Sequence, residues 1–128
     1  MNLAVQDNIY TLQNLMKAGQ AGSVVQLEAR HHFSEGMYAR ELFIPAGVCV
    51  VGALHKTRHL YTVVQGKCKV SSQFGNIDIE APFMGETLPQ TKRVIYAETD
   101  CVWVTYHPTH LTDIAEIENA LLEPEKQS

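Results

Sequence analysis

Thiols, positive charge and long apolar runs are all scarce in this sequence. Its three cysteines, Cys49, Cys68 and Cys101, stand singly in strand-like runs with no Cys-x-x-Cys spacing. An odd number of isolated cysteines does not make a disulfide framework, so they are expected to be buried free thiols in a reducing compartment. Lysine and arginine total 10 against 14 acidic residues, a net charge of −4. That balance excludes a general nucleic-acid binder, which is normally basic, and leaves only a local basic patch open. Nowhere does the chain run through the ~18 apolar residues of a membrane span. The opening MNLAVQDN has neither a basic n-region nor an apolar h-region, so a cytoplasmic protein without a membrane partner is expected. Also missing are Gly-x-Ser-x-Gly, a phosphate loop, a dinucleotide fingerprint and a His-Glu-x-x-His helix. Nothing in the sequence sets a thiol beside a base.

What is present is the composition of one folded domain: 128 residues, 45% apolar and 19% charged. Ile9, Leu12 and Met16 recur at helical spacing within residues 7–17, and Gly19 follows as a stop. This short amphipathic helix either packs on the body of the protein or meets a second subunit. A small-residue linker is expected at 19–23, an edge strand at 24–28 and a polar loop at 30–36. Short β-rich runs then follow at 37–44, 48–55, 59–65, 67–74, 77–80, 85–88, 93–97 and 101–107, the spacing of an all-β barrel. Asp113 or Thr112 can cap a closing helix through residue 122, with Ile114, Ile117 and Leu121 on one face and Glu116 placed for a capping box. The charged tail from residue 123 is expected to fray. The organisation is therefore helix and linker at 1–23, barrel at 24–110, and helix and tail at 111–128.

The densest chemistry lies in residues 47–66, GVCVVGALHKTRHLYTVVQG. Two strand-like runs flank a polar turn, Lys56-Thr57-Arg58, with His55 on one shoulder and His59 on the other. The two-residue period puts His59, Tyr61 and Val63 on one face. Histidines on rigid backbone either side of a turn are an arrangement that suits a metal.

This stretch resembles the first motif of the cupins, small double-stranded β-helix (jelly-roll) barrels. Gly47 and Gly66 fall on the motif's two glycines and His55 on its second histidine. Ala53 stands at the first histidine and His59 at the glutamate. In the place of the second motif, Pro89 matches the proline, Thr91 replaces a glycine, and Val94 occupies the fourth ligand position beside Arg93. More narrowly, the chain resembles small single-domain cupins encoded by tailed phages and prophages. That likeness rests on His31-His32-Phe33, Tyr38-Ala39-Arg40-Glu41, His55-Lys56-Thr57 with His59-Leu60, Thr91-Lys92-Arg93 and Val102-Trp103. It implies a cupin barrel with short flanking helices, a homo-oligomer, and host cytoplasm as the setting. It leaves the chemistry open, because the fold hosts many.

If His55 points inward, alternation along 48–55 carries Cys49, Val51 and Ala53 to the same face. His59, Tyr61, Tyr96 and His107 then gather at the barrel mouth, with Trp103 deeper. Neutral imidazoles of His55, His59 and His107 suit a borderline divalent ion such as zinc, nickel or iron; alternatively they hydrogen-bond to one another or to Tyr61. Arg40, Arg58, Lys92 and Arg93 are the cations able to hold an anion. Arg93, beside the substituted ligand position and with a planar fork, is the first candidate; a surface ion pair is its ordinary alternative. Trp103 is a core aromatic or a stacking platform.

Two functions follow. One is a non-catalytic binding module that needs no cofactor and holds a small anion, such as a nucleotide-type signal, through His55, His59, Tyr61, Arg93, Tyr96 and Arg40. The other is a metal-dependent enzyme of isomerase, lyase or dioxygenase type, with the ion on His55, His59 and His107.

Overall fold

The computed structural model describes residues 2–18 and 26–124. The linker expected at 19–23, residues 24 and 25 of the expected edge strand, and residues 125–128 of the tail lie outside them. In chain order the elements are α1 (Leu3–Lys17), β1 (Glu28–Ser34), β2 (Met37–Ile44), β3 (Cys49–Val51), β4 (His59–Gln65), β5 (Lys67–Ser72), β6 (Gly75–Glu80), β7 (Phe83–Thr87), β8 (Arg93–Ala97), β9 (Cys101–Pro108) and α2 (Ile114–Leu121). The strands form two antiparallel sheets, ordered β1-β2-β9-β4-β7 and β3-β8-β5-β6. This is the jelly-roll sandwich of the cupin fold, with flanking helices.

The core lies between the sheets because their inward positions alternate with polar outward ones. His59, Tyr61 and Val63 of β4 are buried, as are Cys101, Trp103 and His107 of β9. Leu42, Ile44, Val70, Ile79 and Ile95 complete the cluster from four other strands. Cys68 and Cys101 are fully buried in it, and burial pushes the Cys68 thiol up to about 12, so it stays protonated. Cys49, expected to be buried, is instead exposed.

Two expectations about strands are corrected. The tract 30–36 is not a loop: its first five residues belong to β1, an edge strand paired with β2 from Glu28↔Phe43 to Ser34↔Met37. Almost every β1 position is open to solvent, so there is no apolar alternation to reveal it. The strand expected at 48–55 ends at Val51. His55 makes only an isolated bridge to Leu122, and alternation counted from Cys49 therefore does not reach it.

The helix expected at 7–17 begins earlier, where the Asn2 side chain accepts from the Ala4 and Val5 amides at 3.0 and 3.4 Å. Helix α1 packs against β5 and β8 and buries Ile9 and Tyr10. Asp113 caps α2, accepting from the Glu116 amide at 3.2 Å. Among the described residues no helix is long and apolar enough to cross a membrane.

Gly66, between β4 and β5, has φ +93°, and a Cβ there would run into the Asp100 carbonyl oxygen. Gly66→Ala combines a left-handed backbone with a backbone clash, and should cost on the order of 3 kcal/mol. Chemical denaturation would check this; a midpoint equal to wild type would contradict the tight approach of β4–β5 to β9.

Candidate functional site

Strands β4 and β9 pair antiparallel, with Leu60 opposite Tyr106 and Tyr61 opposite Thr105. One step beyond Leu60 and Tyr106, His59 and His107 stand across from each other on the inward face, their ring centroids 4.6 Å apart. His55 comes from the irregular segment after β3, its ring 4.4 Å from that of His59 and 5.3 Å from that of His107. One nitrogen from each of the three lies within 4.8 Å of the others.

The imidazoles are held neutral. Desolvation lowers the His55 pKa to about 3, with the other two histidines and Arg93 adding repulsion. Desolvation and then His59 bring His107 to about 4, and desolvation also lowers His59. The Nδ1 of His59 donates to the Thr57 carbonyl at 3.4 Å. That bond fixes the tautomer and leaves the lone pair on Nε2. Buried His59 Nε2 and His107 Nδ1 have no hydrogen-bond partner among the described residues. Unpartnered buried nitrogens are costly unless something binds them. The donor set thus fits a borderline divalent ion.

His55 and His107 also line a cavity of about 310 Å³. Its polar wall includes Tyr38, Arg40, Arg93, Thr105 and Glu118; Leu42, Val50, Ile95 and Trp103 form much of the rest, and α2 covers it with Ile117 and Leu121, followed by the cap residue Leu122. The cover is tied to the His55 segment by main-chain bonds, Lys56 N–H to the Leu121 carbonyl and Glu123 N–H to the Leu54 carbonyl, each 2.8 Å.

Arg93 is built into this wall. Its Nη2 donates to Thr87 Oγ1 at 2.5 Å, and its guanidinium lies 5.1 Å from the Tyr61 ring and 5.2 Å from that of Trp103. Those rings stack at 4.4 Å, 6° from parallel. Gly85, opposite Tyr61 on β7, makes room for the stack, since a Cβ there would come within 2.6 Å of the Tyr61 ring and hydroxyl.

The expected residues divide accordingly. His55, Arg93, Arg40 and His107 line the cavity; His59 and Tyr61 stand behind that wall and support it. Tyr96 does not join them. On β8 residues Ile95 and Ala97 are buried, and the intervening Tyr96 faces outward, 40% exposed. Arg58 pairs with Glu86 at 2.5 Å on the surface. Lys92 Nζ donates to the Gly52 carbonyl at 2.8 Å and lies over the Tyr10 ring. Sequence reasoning missed Tyr38, whose hydroxyl bonds His31 Nδ1 at 2.7 Å and whose ring stacks on His107; its inward parity with Leu42 and Ile44 was the available signal. It also missed Gly85, for which an isolated strand glycine was the signal.

No family model matches the chain, and no curated protein matches it in sequence. Solved structures similar to it include a cupin superfamily protein from Desulfitobacterium hafniense, at TM-score 0.56 and 12% identity over 68% of this chain and 81% of that one. A cupin-2 domain protein from Shewanella frigidimarina matches at TM-score 0.54 and 12% identity, over 77% of this chain and 92% of that one. A salicylate 1,2-dioxygenase from Pseudaminobacter salicylatoxidans matches at TM-score 0.62 and 13% identity, over 91% of this chain. This chain spans only 35% of the dioxygenase.

The lowered histidines make stability depend on pH. Their folded pKa values lie below the ordinary 6.5, so below that pH the unfolded chain takes up protons first. Stability is full above pH 6.5 and is lost as pH falls toward about 4 for His107 and about 3 for His55. Between about pH 7 and 5 the loss should be about 1–2 kcal/mol for each. Denaturation with a chelator present should show it, with a flatter profile for the His55→Gln/His107→Gln double variant. Equal slopes would overturn the neutral, buried cluster.

Proposed function

Starting from the cupin fold, we propose that this chain is a metal-binding protein in which His55, His59 and His107 hold one divalent ion at the wall of a cavity for a small organic anion. The observation that carries the reading is the pair of buried, unpartnered nitrogens on His59 and His107 within a three-nitrogen cluster. Zinc, nickel or iron bound there would supply Lewis acidity toward a ligand oxygen, and iron would add reactivity with dioxygen. The protein's part is positional. Thr57 orients His59, Arg93 offers a fixed positive charge, and Trp103 with the aliphatic wall keeps water out. The fold likeness to a salicylate 1,2-dioxygenase supports an enzymatic version of this reading.

A second reading, metal-free ligand binding, is favoured by a different observation. Ala53 and Val94 occupy two ligand positions of the cupin motifs, and the cluster among the described residues includes no carboxylate. The His55 and His107 rings lie 9° from parallel, so imidazole packing alone can wall the cavity. The resemblance to phage-encoded cupins gives this reading a concrete form: sequestration of a nucleotide-type signal in host cytoplasm.

Native mass spectrometry with elemental analysis, on protein purified without an affinity-metal step, separates the two. The expected result is one divalent ion per chain, with affinity at least about 100-fold weaker in His59→Ala and in His107→Ala. Folded protein that stays metal-free after addition of zinc, nickel or iron(II) would leave only the second reading.

A further inference from the structure

Arg93 is a largely covered cation in the cavity wall with no ion-pair partner among the described residues. It donates to the neutral Thr87 hydroxyl, and among the described residues no ion pair involves it. A guanidinium carries five N–H donors and stays charged in proteins, so burying it beside uncharged groups is costly unless an anion completes the site. The Tyr61 and Trp103 rings and Thr87 hold the guanidinium in place, and Arg93 lines the cavity.

The cavity narrows the class of that anion. One planar fork matches a carboxylate bidentately. Phosphate is usually gathered by several donors, such as successive backbone amides or a lysine, yet the neighbouring Lys92 ammonium is turned to the Gly52 carbonyl. Arg40 of β2 and Glu118 of α2 face the same space and offset one another in formal charge, which leaves the net single positive charge of Arg93 and suits a monoanion. Leu42, Val50, Ile95, Trp103, Ile117 and Leu121 offer the rest of the ligand an apolar surface. A volume of about 310 Å³ lies at the small end of ligand pockets.

We infer that the cavity selects a compact monocarboxylate with an apolar body, its carboxylate on Arg93 and its body beneath α2. This rests on the reading that the cavity is a ligand site, and it stands whether or not the histidines carry a metal. Arg40, Glu118 and Arg93 together set the charge preference, and α2 sets the length the cavity accepts.

The test is calorimetric titration of the purified protein with benzoate and hexanoate, against benzamide, hexanamide and inorganic phosphate, with metal content measured on the same sample. At least one carboxylate should bind about tenfold or more tightly than its amide, and more tightly than phosphate. Arg93→Gln should erase that preference at unchanged metal content, and Arg93→Lys should retain part of it. Carboxylates no tighter than amides, phosphate preferred over both, or a preference that survives in folded Arg93→Gln would each overturn the inference. Because the wild-type comparison is decisive by itself, a variant that fails to fold does not rescue it. A metal-free protein that still prefers carboxylates would refute the metal reading alone; a metal-loaded protein without the preference would refute this inference alone.

Discussion

The antiparallel register of β4 on β9 is the constraint from which the site follows. Pairing Leu60 with Tyr106 and Val63 with Trp103 fixes which side chains face inward on both strands at once. It sets His59 opposite His107, and Tyr61 close enough to stack on Trp103. A slip of β4 by one residue would turn His59 and Tyr61 outward, put Leu60 into the core and leave His107 and Trp103 without their partners. The metal-ligand cluster, the aromatic platform and the seat of Arg93 are thus consequences of a single hydrogen-bonding pattern.

Electrostatics and packing agree at this place. Three imidazoles and a guanidinium crowded together would repel if all were charged, and desolvation resolves the conflict by taking the protons off the histidines. What remains is a set of neutral nitrogen lone pairs beside the Arg93 guanidinium, with Arg40 and Glu118 of opposite charge in the same wall. Burial therefore makes the imidazoles into ligands, and Arg93, set against Tyr61 and Trp103, carries the net positive charge of the wall.

Much of this was legible in residue order. Strands with one wet and one dry face, residues 37–44, 59–65 and 93–97, were read at their true limits, because alternation is a direct imprint of a half-buried sheet. His55 and His59 were set together by the turn they flank, and His107 by its place at the end of the last strand, and the three do meet. Alternation alone would not have carried His55 there, since the chain leaves strand geometry after Val51. Strand β1 was hidden because an edge exposed on both faces carries no pattern. Tyr96 was set at the barrel mouth without its parity being counted; alternation from Ile95 and Ala97 turns it outward. The capping of α2 was readable, but its role over the cavity was not, because that depends on where the chain returns in space.

The fastening of α2 shows why. Leu54, Lys56, Leu121 and Glu123 join through amides and carbonyls rather than through their side chains. Every residue except proline can supply the amide, and any residue the carbonyl. Natural variation can thus rewrite Leu54, Lys56 and Glu123 without unfastening the cover, while Leu121 and Ile117, whose side chains line the cavity, remain answerable to whatever it holds. Divergence in this protein is thereby partitioned: the attachment can drift in sequence, and the surface that meets the ligand cannot.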